Sequence, residues 1–418
     1  MGKLRWHAVG KLRLLAASLV LGAALLGAGC GGDDDSGGGG GGGGGGTIKI
    51  GASLPLTGEF SEPGKAAQQG YKVWEAMINE QGGLLDRKVQ MVIKDDASNQ
   101  NTVVTDYNAL ISKDNVDLLL GTFSSLLNLP ASSVAEKNRM LYVEPAGGAP
   151  EIFDRGYKYI FFAQQATSDH QGDVWAKWVT ELPADERPKT AAYPTLDDPF
   201  AQPTSEGIEK ILKGAGIKTV YRKTYTIDNP NLDGIVSAIK ATNADLVVHG
   251  ATFEDGVSFV RALLKSGYTP DMLYQTSAPS FGDQYAKGIG KGNTEGIFYA
   301  VSHSKEAKTP GNAEFVAKYQ EMFGGTEVPE DAADAFATAE VLQKAVEEVG
   351  SIDDQLKLAD WIRDNEVDTI LGPLSWDEQG RPQGQFLVGQ WQSGVPEIVL
   401  PEAAATTDKI IPGWMPQQ

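Results

Sequence analysis

The amino-acid sequence predicts an α/β fold made of two doubly wound parallel-sheet lobes of similar size. From Ile48 onward, short β-branched and aliphatic runs alternate with helical patterns, which is typical of parallel strands joined by helices. Residues 116–120 are almost continuously apolar, as expected for a strand covered on both faces. Near residue 160 the alternation starts again, which predicts the second lobe.

In the first lobe, Ile48–Leu54 is the first predicted strand. A helix is expected over residues 64–81, where Gly82 and Gly83 end it. Residues 89–93 form the next predicted strand. The helix after it places five apolar side chains on one face: Val103, Val104, Tyr107, Leu110 and Ile111. Strands at residues 116–120 and 141–143 continue the pattern.

In the second half of the chain the alternation starts again with an apolar run at residues 159–162. Residues 168–171, Ser-Asp-His-Gln, match a capping box that would open the next helix. Further strands are predicted at residues 190–193, Leu246–His249 and Met272–Gln275. Residues 312–349 are strongly helical, and we expect them to pack on one lobe after the chain crosses back.

The N-terminal segment has the features of an export signal. Basic residues and an apolar run at residues 14–26 precede Cys30, the only cysteine of the sequence. The run is too short to span a bilayer core of roughly 30 Å. The segment resembles a bacterial lipoprotein signal, although Gly27 stands where such signals usually carry leucine. It predicts a signal peptide at 1–29, lipidation of Cys30 and an extracytoplasmic, membrane-anchored protein. An ordinary secretory signal with an unrelated cysteine is the alternative.

Residues 30–46 predict a disordered Asp/Gly tether. They contain three aspartates and ten consecutive glycines, which offer no apolar side chain to bury. A glycine-rich coil of this length spans about 20–25 Å, enough for a tethered head to move over a membrane.

Composition excludes several classes of function. The formal charge of −19 argues against nucleic acid, which requires a basic surface. After the signal segment, only His170, His249 and His303 remain, without metal-pair spacing and without a nucleophile motif. We therefore expect no enzyme activity, no metal and no cofactor.

Two loops after predicted strands are candidate ligand sites, because ligands of open α/β sheets bind at the carboxyl ends of strands. Residues 121–125 place hydroxyl groups at a helix N-terminus, which suits a carboxylate. Alternatively, Ser124 or Ser125 caps its own helix. Residues 144–150 contain glycines that permit close approach of a ligand, or that simply form a tight turn.

Several motifs occur together in one order: residues 48–51, 55–58, 79–83, Asp95-Asp96, 121–125, Pro145-Ala146 with Ala149-Pro150, and 372–377. With these motifs the sequence resembles the substrate-binding proteins of branched-chain amino acid ABC importers, which have the type I periplasmic binding fold. The resemblance covers nearly all of residues 47–395. It implies two lobes joined by three hinge crossovers, with lobe 1 at 47–165 plus 301–370 and lobe 2 at 166–300 plus 371–418.

The resemblance also implies a function. Such a protein captures an amino acid or related small carboxylate between closing lobes and delivers it to ABC permease subunits, usually as a monomer. The alternative is a ligand-sensing protein for a regulator or receptor, with an aromatic carboxylate or amide ligand.

The family's site maps onto this sequence residue by residue. Ser125, next to Ser124, would hold the ligand carboxylate. Backbone groups of the second loop would hold the carboxylate and ammonium, and the aromatic ring at position 200 would cover the ligand. The remaining expected contacts follow from the aligned loops: Ala146, Gly147, Gly148, Phe123, Phe200, Thr252 and Phe253. Each of these phenylalanines could instead belong to a core.

Ser277 departs from the family pattern, which places a glutamate there against the ligand's ammonium. A buried ammonium without a carboxylate partner costs several kcal/mol. Either Glu254, Asp255 or Asp334 supplies the missing charge, or the ligand has no ammonium.

Overall fold

The computed structural model describes residues 46–228 and 230–417. The predicted signal peptide, the lipidation at Cys30 and the tether up to residue 45 lie outside these residues. No helix in the described ranges is both long and apolar enough to cross a membrane.

The first sheet has five strands, all parallel. In chain order they are β1 (Ile48–Leu54), β2 (Val89–Asp95), β3 (Leu118–Leu120), β4 (Tyr142–Glu144) and β5 (Ile160–Phe162). Their spatial order is β2-β1-β3-β4-β5. Between them run α1 (Ser61–Glu80), α2 (Gln100–Ser112), α3 (Ser125–Asn138) and α4 (Pro150–Phe153).

Side chains alternate between the two faces of this sheet. Leu118 and Leu120 pack in the core shared with α1, whereas Leu119 packs in the core shared with α2 and α3. Both faces are therefore covered, which explains why β3 is apolar at every position.

The second sheet has seven strands. They are β6 (Thr190–Leu196), β7 (Lys218–Tyr225), β8 (Leu246–His249), β9 (Met272–Gln275) and β10 (Phe298–Val301), with two later strands from residues 387–400. Helices α5 (Asp173–Glu181), α6 (Ala201–Gly214), α7 (Leu232–Thr242), α8 (Phe253–Ser266) and α9 (Gly282–Ile289) cover its two faces.

The predicted helical segment at residues 312–349 forms α10 (Asn312–Phe323) and α11 (Glu330–Val349). As expected, both pack on the first lobe, in the core that contains β1. They are followed by α12 (Gln355–Asp364) and a small hairpin, β11 (Val367–Thr369) and β12 (Gly372–Leu374).

Two further strands, β13 (Leu387–Gln392) and β14 (Val395–Leu400), join the second sheet antiparallel. The spatial order of the second sheet is thus β14-β13-β10-β9-β8-β6-β7. The chain passes between the sheets three times: after β5, after β10 and after β12. The predicted architecture, with its three crossovers, is confirmed.

The three crossing segments touch one another. A small buried cluster joins Ala166 and Phe386, from the first and third crossings, to Ala300, near the end of β10 where the second crossing begins. The amide of Gln165 donates to the Ser302 carbonyl at 2.9 Å, and the Gly384 N–H donates to the Gln165 carbonyl at 2.6 Å. A hinge between the lobes would therefore have to bend at these segments together.

The residue boundaries of the lobes stay a prediction. Leu374 and Trp376 pack in the core of the first sheet, and the Trp376 indole N–H donates to the Phe162 carbonyl at 2.7 Å. These contacts favour a boundary after residue 376 rather than at the predicted 370.

The prediction of a capping box at residues 168–171 is wrong. A short 3₁₀ turn occupies Ser168–His170, and α5 begins only after Gly172. The Ser168 hydroxyl has no hydrogen-bond partner among the described residues. The Ser168 N–H donates to the Gly148 carbonyl at 2.8 Å and ties the segment to the first lobe.

Candidate functional site

A cleft lies between the carboxyl ends of the two sheets. Loops after β1, β3, β4 and β5 form one wall, and loops after β6, β8 and β9 form the other. Its volume is about 240 Å³, below the roughly 300–1,000 Å³ typical of drug-sized ligands. The cleft therefore has the size for a small solute. Across it, the Gln284 amide donates to the Glu62 carboxylate at 2.9 Å and links α9 to α1.

Nine of the ten residues expected at the ligand line this cleft: Phe123, Ser124, Ser125, Ala146, Gly148, Phe200, Thr252, Phe253 and Ser277. Gly147 is the exception, because it packs against Glu144 and Asn128 instead of lining the cleft. A Cβ at position 147 would lie 2.6 Å from Glu144 Oε1 and 2.8 Å from Asn128 Cβ. Any residue with a Cβ would clash there, so this packing requires glycine at position 147.

Ser125 is the first residue of α3 and is fully buried. Its Oγ accepts a hydrogen bond from the Ala149 N–H at 3.0 Å, so its own proton is free to donate. Neither Ser124 nor Ser125 caps α3 through its side chain, so the capping alternative is wrong. The first N–H groups of α3 lack partners within the helix, as at any helix N-terminus.

The backbone of Ser124 is strained. Its φ of 71° and ψ of 147° lie in a region that is nearly restricted to glycine. Its buried Oγ has no hydrogen-bond partner among the described residues. Such strain is found at ligand-binding loops more often than elsewhere and costs about 1–3 kcal/mol.

Glu144 organises the second loop, a role that sequence reasoning missed. This buried side chain accepts hydrogen bonds from the N–H groups of Ala146 (2.9 Å) and Gly147 (2.5 Å). Burial raises the pKa of the Glu144 carboxyl well above its usual value. Since both N–H groups are occupied, Ala146 can offer a ligand only its carbonyl oxygen. The sequence did contain a sign of this role, because Glu144 ends an apolar strand and directly precedes the loop Pro-Ala-Gly-Gly.

The second wall is fixed by the start of α8. Thr252 and Asp255 form a capping box, and Asp255 also accepts from the Tyr225 hydroxyl at 2.6 Å. Because the Tyr225 proton points to Asp255, His249 Nε2 donates to the Tyr225 oxygen at 2.6 Å. His249 Nδ1 then accepts from the Gln275 amide at 2.9 Å. The Asp255 carboxylate is thus used in hydrogen bonds within the second lobe and does not replace the glutamate that the family carries at position 277.

Phenylalanine rings dominate the apolar part of the cleft. Seven line it: Phe60, Phe123, Phe162, Phe200, Phe253, Phe281 and Phe386. The centroids of Phe253 and Phe281 are 4.6 Å apart, and those of Phe60 and Phe123 are 5.8 Å apart. Such pairs are within the range for favourable ring contacts. The surface suits an apolar or aromatic side group.

The charged part of the cleft is entirely acidic. Among the described lining residues there is no lysine, arginine or histidine, whereas seven carry carboxyl groups: Glu59, Glu62, Asp198, Glu254, Glu330, Asp331 and Asp334. Burial, together with the charge of Glu330, raises the pKa of Asp331 to about 7. Sequence reasoning found Glu254 and Asp334 but missed the other two carboxyls at the start of α11.

Two doubly wound lobes with a ligand-sized cleft between their strand ends define a binding protein of the two-lobed type. The sequence model described as "Periplasmic binding protein" matches residues 47–396, and the chain belongs to this family.

Relatives with known names or structures agree with this membership. The Leu/Ile/Val-binding protein homolog 7 of Brucella suis is 26% identical over 379 residues, covering 87% of this chain and 94% of the relative. A leucine-binding protein from Thermotoga maritima has a TM-score of 0.73 at 20% identity, covering 84% of this chain and 97% of its own. An R. palustris solute-binding protein in complex with benzoate has a TM-score of 0.73 at 19% identity, with coverages of 88% and 99%.

Proposed function

We propose that this chain is an extracytoplasmic solute-binding protein of an ABC importer. It captures an amino acid or related small carboxylate between its lobes and delivers it to the permease subunits. It has no enzymatic role, acts as a monomer and is held at the bacterial membrane by a lipid on Cys30. The tether at 30–46 lets the head reach the permease.

The observation that carries this proposal is the Ser125 hydroxyl group at the start of α3, which lines the cleft and keeps a proton to donate because its oxygen accepts from the Ala149 N–H. The N–H of Gly148 lies in the same wall and takes part in no backbone hydrogen bond among the described residues. A carboxylate accepting from these groups at a helix N-terminus would be stabilised without any basic side chain.

An aromatic carboxylate is the second candidate ligand, because seven phenylalanines surround the cleft. The benzoate complex of the R. palustris protein shows that a protein of this fold can hold such a ligand.

A thermal-shift screen of the full chain tests the proposal. The panel contains aliphatic and aromatic amino acids, aromatic acids, amides and urea. A solute present at about 100 times its Kd should stabilise the protein by about 2.7 kcal/mol. If no member of the panel stabilises the protein, the proposed role in binding small carboxylates is wrong. If only amides or urea stabilise it, the protein binds a small solute but the proposed carboxylate ligand is wrong.

A further inference from the structure

Asn128, in the first turn of α3, contacts the loop that ends at Ser125. Its side chain is fully buried and does not line the described cleft. The amide nitrogen donates to the Thr122 carbonyl at 2.8 Å and to the Ser124 carbonyl at 3.1 Å. The amide oxygen accepts from the Tyr142 hydroxyl at 2.7 Å and from the Thr122 N–H at 3.3 Å. An asparagine side chain has two protons to donate and one oxygen with two lone pairs, so its bonding capacity is filled.

These hydrogen bonds act on the strained backbone of Ser124. Its φ of 71° and ψ of 147° are close to a region that is otherwise almost restricted to glycine. The Ser124 side chain does not hold this conformation, because its buried Oγ has no hydrogen-bond partner among the described residues. The Ser124 carbonyl, in contrast, accepts from both the backbone N–H (3.0 Å) and the side-chain amide (3.1 Å) of Asn128. Asn128 therefore fixes the peptide group that directly precedes Ser125.

Asn128 also supports the second loop of the cleft. A Cβ at Gly147 would lie 2.8 Å from Asn128 Cβ, so the backbone of this loop packs directly on the asparagine. The Ser125 Oγ joins the two loops, because it accepts from the Ala149 N–H at 3.0 Å. One buried side chain outside the cleft thus contacts both loops that carry the proposed ligand contacts, Ser125 and Gly148.

We propose that Asn128 is a positioning residue for the solute. It keeps Ser124 in its strained conformation, and this conformation places the Ser125 hydroxyl group at the cleft. Without the two donor protons of Asn128, Ser124 would return to an ordinary backbone conformation and Ser125 would move with it. The inference rests on the proposed function, since a positioning residue requires a ligand whose binding it affects.

The substitution Asn128→Asp tests this inference, because aspartate has the same shape but no proton to donate to the Thr122 and Ser124 carbonyls. The full chain is titrated calorimetrically with leucine, phenylalanine and benzoate. For each solute that the wild type binds, Kd should rise about tenfold or more in the variant. Asn128→Ala, which also removes both donor protons, should give a similar loss.

The outcomes separate this inference from the proposed function. Wild-type affinity in both Asn128 variants would overturn the inference and leave the proposed function standing. If the wild-type chain binds none of the three solutes, an amino acid or aromatic acid ligand is wrong, and the inference is wrong with it.

Asn312→Asp is the matched control. The Asn312 side chain is also fully buried, and its amide nitrogen donates to three carbonyls outside the cleft, those of Ser304, Lys305 and Ala307. This substitution should lower the melting temperature without ligand, because a buried carboxylate would face these carbonyls. Kd should stay unchanged. If Asn312→Asp weakens binding as much as Asn128→Asp does, the loss follows from general destabilisation and the inference is wrong.

The substitution Ser124→Gly separates positioning from packing. Glycine adopts a positive φ without steric cost, so a Ser124→Gly chain keeps the loop conformation with less support from Asn128. Adding Asn128→Asp to this chain should therefore raise Kd less than about threefold, a smaller loss than the same substitution causes in the wild-type chain. Equal losses in the two chains would contradict the proposed role of Asn128.

Melting temperatures without ligand decide the case in which both Asn128 variants fail to fold. Ser124→Gly should raise the melting temperature of the chain, because it removes the backbone strain at this position. A lower melting temperature would show that Ser124 is not held under strain, and the inference would be wrong.

Discussion

The Ser125 hydroxyl group can form two hydrogen bonds. Its oxygen accepts from the Ala149 N–H and fixes the second loop, and its proton is available to a ligand. Ser125→Ala should therefore weaken a carboxylate solute about tenfold or more, since charge-assisted hydrogen bonds contribute about 1.5–3 kcal/mol. Titration with the best solute of the screen measures this loss.

Ser133→Ala is the matched control for that substitution. Ser133 lies on the same helix, but its hydroxyl bonds the Leu129 carbonyl and Tyr157 outside the cleft. The Ser133→Ala variant should bind the solute with the same affinity as the wild type. An unchanged affinity in Ser125→Ala would show that the carboxylate site lies elsewhere.

His249 makes the stability of the protein depend on pH. Burial lowers the pKa of this imidazole to about 3, from 6.5 in the unfolded chain. Between these values the unfolded chain takes up a proton that the folded protein does not, so stability falls as pH falls. From pH 7 to pH 5 this contribution is about 2 kcal/mol.

The substitution His249→Gln keeps polar atoms in this network and removes the titration. Chemical denaturation at pH 7 and pH 5 should show a smaller loss of stability in the variant, by about 2 kcal/mol. Asp255, whose pKa burial raises to about 6, is 4.0 Å away and titrates in both proteins. Equal losses in the two proteins would contradict the assignment to His249.

Helices α1 and α11 approach each other at a glycine. A Cβ at Gly70 would lie 2.0 Å from the Ala332 carbonyl oxygen, so the two backbones could not keep their distance. Gly70→Ala should therefore destabilise the protein by about 1–3 kcal/mol, as measured by denaturant unfolding.

Gly214→Ala is the control for this helix contact. Gly214 ends α6, and a Cβ there would meet nothing within 4 Å. Alanine should stabilise the protein by about 0.5 kcal/mol or leave it unchanged. A similar loss in both variants would indicate a general effect of the substitution rather than the contact between α1 and α11.

The sequence predicted elements whose patterns are local. Strands such as β3 were predicted because burial on both faces requires a continuous apolar run. The edge strand β7 was missed because much of it is polar and solvent-facing. The hairpin of β13 and β14 was missed because its antiparallel pairing departs from the βα alternation.

Some residues of the candidate site could likewise be predicted from local sequence, and others could not. Loops that directly follow strands, such as the one that ends at Ser125, could be located by position along the chain. Glu330 and Asp331 could not, because acidic residues in the first turn of a helix are common for electrostatic reasons alone. Only the packing of α11 on the first lobe brings them to the cleft.

Three crossings join the two lobes, and we expect solute capture to move the lobes about these crossings. The cluster of Ala166, Ala300 and Phe386 joins these crossings, and few other described contacts, such as that of Gln284 with Glu62, span the cleft. We expect ligand binding to bring the two walls together with the rotation absorbed at the crossings.

A crystal structure of the full chain with the tightest-binding solute of the screen would show directly where the solute binds. We expect a solute enclosed between the lobes, with a carboxylate oxygen about 2.7–3.2 Å from Ser125 Oγ and from the Gly148 nitrogen. A solute bound outside the cleft, or one whose carboxylate points away from Ser125, would contradict it.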